Sequence, residues 1–161
     1  MSELIAAIVP EVIQMILVQE ENARIMVVAR LDETGDPTTD RVAAENLCTH
    51  LGSQNPKVKI VDSFRIGPTV ANRPRLLKIA FQNSSMRNSK LKNGKMLKGY
   101  LNGKVFIRPS MTRSQREEQH QMIQKVKEER IKNPNLKIQV RADFHGKPYY
   151  FDYEKRAKTT F

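Results

Sequence analysis

Between Arg24 and Arg108, four short apolar runs alternate with two helix-period segments in a fixed order, and that order leaves few ways to build a core. The runs are Arg24 to Leu31 (RIMVVARL), Val58 to Ile66 (VKIVDSFRI), Leu76 to Phe81 (LLKIAF) and Lys104 to Arg108 (KVFIR). Each is rich in residues that suit a pleated, half-buried surface, and each is bounded by turn formers. The segment Arg41 to Leu51 gathers Val42, Ala43, Leu47 and Leu51 on one helical face, with Thr39 or Asp40 as its cap and Gly52 as its stop. The spacing of Leu91, Gly94 and Leu97 predicts a second helix over Ser84 to Leu97, ended by Gly99. The order β-α-β-β-α-β is the split βαβ arrangement, in which both helices cover one face of an antiparallel sheet and the other face stays open.

Shorter units flank this one. Leu4 to Leu17 carries apolar residues at helical spacing, with a kink expected at Pro10 and a break at Glu20 to Asn22. After Pro109, Thr112 and Gln115 form a capping box for a charged helix whose buried stripe is Met122, Ile123, Val126 and Ile131, and which Asn133-Pro134 terminates. Strands at Lys137 to Phe144 and Lys147 to Tyr153 follow, joined around His145-Gly146. The expected fold class is α+β, with three parts. Residues 1–22 form an N-terminal helix for self-association, 23–110 a domain like the RNA-recognition motif (RRM), and 111–161 a small helix-plus-hairpin domain.

Charge narrows the partner. The 161 residues carry a net charge of +11. From Met1 to Asp62 the balance is −5, and from Ser63 to Phe161 it is +16; no acidic residue stands between Asp62 and Glu117. A long one-signed stretch builds a field that attracts polyanions, so nucleic acid is the leading partner.

In the RRM architecture the exposed side chains of the two central strands usually stack bases on aromatic rings. Alternation along RIMVVARL buries Met26, Val28 and Leu31 and exposes Val27 and Ala29, with Arg30 near the end of that face. Along LLKIAF it buries Leu77, Ile79 and Phe81 and exposes Lys78. The stacking aromatics are missing, so contacts to the sugar-phosphate backbone are expected to dominate. Alternation also places Ser63 and Arg65 on the open face, with Phe64 and Ile66 inward, and exposes Phe106 and Arg108. Arg65, Lys78 and Arg108 would then line one surface, with Phe106 as the stacking candidate, unless the C-terminal unit covers that ring. Lys90, Lys92, Lys95 and Lys98 lie on the helix behind the sheet and are expected to add field, not contact.

Other classes are disfavoured. Cys48 is the only cysteine, which excludes an intramolecular disulfide and multi-cysteine zinc patterns. His50, His120 and His145 have no ligand spacing, no phosphate-cradling glycine pattern occurs, and no paired carboxylates suggest acid–base work. No enzyme activity, cofactor or metal is expected. The apolar N-terminal stretch is too interrupted for a signal peptide and too short to span a bilayer, so no membrane role is expected. The expected setting is intracellular, a ribonucleoprotein of the cytoplasm or the nucleus.

The strings ENARIMVVARLDE, VDSFRIG, RPRLLKIAF, MRNSKLKNGKMLKG and VFIRPSMTRSQREEQ, with the closing helix and hairpin, together resemble the first-open-reading-frame protein of LINE-type retrotransposons, in its invertebrate, nematode-like form. The likeness runs from about Glu21 to Tyr153. It implies a noncanonical RRM plus a C-terminal domain, binding of single-stranded RNA or DNA with little sequence preference, nucleic-acid chaperone activity, and a basic cleft between the domains. Carried over residue by residue, it implicates Arg65, Arg73, Arg75 and Arg108, then Arg113 and Arg116 at the start of the charged helix, and Arg141 and Tyr150 in the final hairpin. Two departures stand out: Gln119-His120 replaces a basic pair, and the long coiled coil that precedes the first strand in relatives is reduced to Ser2 to Glu21, as in a shortened or domesticated copy. The other reading is an RRM-like adaptor that binds protein through the sheet or through the face of Leu4, Ile5, Ile8, Ile13 and Leu17.

Overall fold

The computed structural model describes residues 2–52 and 60–161, with side chains from residue 9 onward except Gln19. The chain is mixed α+β and divides into two compact units, residues 1–110 and 111–161. The expected strand residues Val58 and Lys59, and the side chains of Leu4, Ile5 and Ile8, lie outside the described residues.

The first unit begins with helix α1 (Ser2–Ala23), which runs unbroken through Pro10 and through Glu20 to Asn22, where a break was expected. Its end is held in place. Arg87 Nη1 donates to the Asn22 carbonyl at 2.8 Å, a guanidinium at the negative end of a helix, and Ser110 Oγ donates to Asn22 Oδ1 at 2.7 Å. Strands β1 (Ile25–Ala29), β2 (Ile60–Ile66), β3 (Leu76–Phe81) and β4 (Phe106–Pro109) form an open antiparallel sheet in the order β2-β3-β1-β4. Between them lie α2 (Pro37–His50) and α3 (Ser84–Lys92), the latter followed by a 3-10 turn over Gly94–Gly99. The core is Met26, Val28, Leu31, Ala44, Leu47, Cys48, Leu51, Ile60, Leu77, Ile79, Phe81, Leu97 and Val105.

Helix α2 starts earlier than its apolar spacing indicates. Asp36 is the cap, its carboxylate accepting from Thr38 N–H at 3.0 Å, and Pro37 fills the first helical position, where no N–H is needed. Asp40, expected as a cap, is buried, and Val42, expected in the core, is exposed. The inward stripe is Ala44, Leu47, Cys48 and Leu51. Two side chains near the end of α3 satisfy the carbonyls left open at the end of α2: Lys90 Nζ donates to Cys48 O at 3.1 Å and Asn93 Nδ2 to Leu51 O at 2.8 Å. Lys90 is therefore buried, not part of the outward field, and its burial pulls the ammonium pKa down. Burial likewise pushes the neighbouring Cys48 thiol up to about 11, so this lone cysteine is inert.

The second unit has helix α4 (Arg113–Lys132) and strands β5 (Ile138–Ala142), β6 (Pro148–Asp152) and β7 (Ala157–Thr159) in that sheet order. Thr112 and Gln115 make the full capping box. Of the expected buried stripe only Val126 is buried; Ile123 and Ile131 are exposed, Ile131 at 82%. The helix packs on two short strands and so buries a narrower stripe than its apolar residues outline. The third strand, β7, was not foreseen: its sequence Ala-Lys-Thr has no apolar alternation.

Candidate nucleic-acid interface

Directly opposed residues in antiparallel strands share a face, so register decides which side chains meet on the open side of the four-stranded sheet. One row crosses all four strands: Phe64, Lys78, Val27 and Arg108. The next position on β4, Phe106, is opposite Ala29 and is 47% exposed. Val27 and Ala29 are themselves buried, although alternation marks them as outward; Val27 sits between the longer Lys78 and Arg108.

The placement of Arg65 is corrected. A bulge between Ile60 and Asp62 shifts the phase of β2, pairing Arg65 with the buried Leu77 and turning Phe64 outward beside Lys78. Phe64 is 41% exposed, and Arg65 points to the helix side. There its side chain is only 3% exposed. Its guanidinium donates to both Asp40 oxygens, at 2.9 and 3.2 Å, and to the carbonyls of Leu31, Asp32 and Arg75 at 2.7 to 2.8 Å. All its donors are engaged in holding the β1–α2 loop against β2 and β3. Arg75 belongs to the same cluster: its Nε donates to Glu33 at 3.1 Å and its backbone N–H to the same carboxylate at 3.2 Å. The bond from that N–H, with the guanidinium beside it, holds the Glu33 carboxyl below the usual range.

At the β1 end of the open face lies a groove of ≈ 630 Å³. Four cations line it, Arg30, Arg73, Lys104 and Arg108, against one carboxylate, Asp32, and the Phe106 ring stands among them. Arg73, Lys104 and Arg30 are exposed, and the Arg30 guanidinium carbon is 5.5 Å from the centre of the Phe106 ring. Arg30 has φ 63°, a left-handed conformation uncommon for a residue with a side chain, which ends β1 as the chain turns past the groove. The groove thus brings together Arg73, Phe106 and Arg108 from the expected set and adds Arg30 and Lys104. Lys78 faces the same side, in the row of Arg108 but on β3, outside the groove lining.

In the second unit, Arg113 and Arg116 are exposed at the start of α4, Arg113 pairing with Glu117 at 3.0 Å. Tyr150 lies on the α4 side of its sheet, edge-on to Phe161 at 4.8 Å, and burial raises its pKa. Arg141, one residue out of phase with it, lies on the opposite face.

No family model matches the sequence, and no curated protein matches it. Among the described residues no three His, Cys, Asp or Glu side chains cluster as a metal site, and no helix is long and apolar enough to cross a membrane.

Proposed function

We propose that this chain is a binding protein for single-stranded RNA or DNA, with low sequence preference, built on an RRM-like first unit. The observation that carries the reading is the groove: four cations against one carboxylate around an exposed phenylalanine suits a strand whose phosphates repeat and whose bases have flat faces. The sheet order, with β1 and β3 central and β2 and β4 outside, supports the RRM-like reading. The groove's side chains offer mainly charge and one stacking ring, which suit the repeated phosphates and flat base faces more than any one base edge. The resemblance to LINE-type first-open-reading-frame proteins agrees with this and extends the reading to a nucleic-acid chaperone in a retrotransposon-derived ribonucleoprotein. Anisotropy of a labelled single-stranded RNA tests it: neutralising three or four phosphates gives a log–log salt slope of roughly −2 to −3, about 20- to 50-fold between 50 and 200 mM salt. Absence of binding at low salt refutes it.

A second reading, association with protein or with another copy of the chain, is favoured by α1, where Val9, Val12, Ile13, Met15, Ile16, Leu17 and Val18 are all exposed. It is compatible with the first, because α1 contributes no described residue to the groove.

A further inference from the structure

Strand β6 and the residue after it read Pro-Tyr-Tyr-Phe-Asp-Tyr over 148–153, and alternation along the strand splits the aromatics between two faces. Tyr150 turns to α4, whereas Tyr149 and Phe151 share the outer face, about 7 Å apart along the strand, and Tyr153 follows just past the strand end, beside Lys137. Each of the three rings has a cation near it. The Arg141 guanidinium carbon is 3.7 Å from the Phe151 ring centre, Lys158 Nζ is 4.7 Å from that of Tyr149, and Lys137 Nζ is 6.0 Å from that of Tyr153. Arg141 and Lys158 come from the strands on either side, and Lys137 immediately precedes β5. Arg141 is opposite Tyr149, Lys158 is opposite Phe151, and the Tyr153 N–H donates to the Lys137 carbonyl. No strand residue of this face carries a carboxylate. Asp143, at the turn, directs its Oδ1 to the N–H groups of His145 and Lys147, at 2.9 Å each.

We infer that this outer face is a second nucleic-acid surface, one that stacks bases. Its chemistry selects the ligand. Three aromatic faces interleaved with three cations ask for a partner that presents flat π-systems and negative charge in alternation, which a single strand does at every nucleotide and an acidic protein surface does not. The rings take the bases, and the cations beside them neutralise the adjoining phosphates. The inference rests on the proposed single-strand binding and adds to the cation-lined groove of the first unit a stacking surface on the second.

The test uses the full chain carrying Phe64→Leu and Phe106→Leu, which removes both exposed rings of the first unit's open sheet face. Affinities for a labelled oligouridylate and for an abasic oligomer of the same length and charge are measured at low salt. The base-bearing strand should bind more tightly, by about 5- to 150-fold for each stacked base. Adding Tyr149→Leu, Phe151→Leu and Tyr153→Leu should abolish that preference and leave the abasic affinity unchanged. Equal affinity for the two oligomers before those rings are removed overturns the stacking surface while leaving the phosphate-binding groove standing. A preference that survives in the folded ring variants also overturns it, and no binding to either oligomer overturns both. Should the further ring variants fail to fold, the comparison in the Phe64→Leu, Phe106→Leu chain still decides whether bases are stacked outside the first unit's sheet face.

Discussion

Arg65 and Asp40 form a two-point ion pair at the edge of the core, Nη2 to Oδ1 at 2.9 Å and Nε to Oδ2 at 3.2 Å, with both side chains nearly closed to solvent. Removing one partner leaves the other charge buried, a loss of about 3–5 kcal/mol. Arg65→Ala should therefore lower the urea midpoint steeply, and RNA affinity corrected for the folded fraction should not change. A drop in affinity at full folding would return Arg65 to the interface.

Acid sensitivity should trace to the same cluster. The Glu33 pKa is depressed in the folded state, so the stability it contributes is present above the ordinary glutamate value of 4.5 and is lost as pH falls through the lower folded value. Glu33→Gln should flatten the acid limb of melting temperature against pH below about 4.5. A limb of unchanged slope would remove Glu33 from this role.

Arg30 separates stability from binding. Its left-handed backbone suits glycine, and for a residue with a side chain such a conformation costs about 1–2 kcal/mol. Arg30→Gly should leave the melting temperature unchanged or raise it, while weakening RNA binding by removal of a groove cation. Loss of both together would mean that the side chain holds the turn.

Helix α1 should govern association. Deleting residues 1–20 removes the row of exposed apolar side chains from Val9 to Val18. The expected result is a smaller species in sedimentation velocity with unaltered RNA affinity. Identical sedimentation of the two chains would count against the association reading.

The helical and strand segments were legible because apolar alternation and the capping and turn residues reinforce one another, as at LLKIAF and at Thr112 with Gln115. Facing was less legible. A single bulged residue in β2 inverted the phase of Phe64 and Arg65, and β2 contains apolar residues on both faces, so alternation alone gives no warning. Alternation puts Arg65 on the open face and the resemblance puts Arg75 in the interface; the acidic partners that engage them, Asp40 and Glu33, lie 25 and 42 residues earlier in the chain and give no local signal. Arg30 and Lys104 lie within the expected strand runs Arg24 to Leu31 and Lys104 to Arg108, and only the fold brings them to Arg73. The aromatic stripe of the last hairpin is legible in the two-residue spacing of Tyr149, Phe151 and Tyr153.

The central claim is that the groove holds phosphates, and the salt slope of an Arg73→Ala, Lys104→Ala chain tests it most directly. Both side chains are exposed groove cations, so the variant should fold normally. The account predicts weaker binding of single-stranded RNA and a log–log slope shallower by about 1.4 than the parent chain's, corresponding to two phosphates no longer neutralised. A slope identical to the parent's would contradict it.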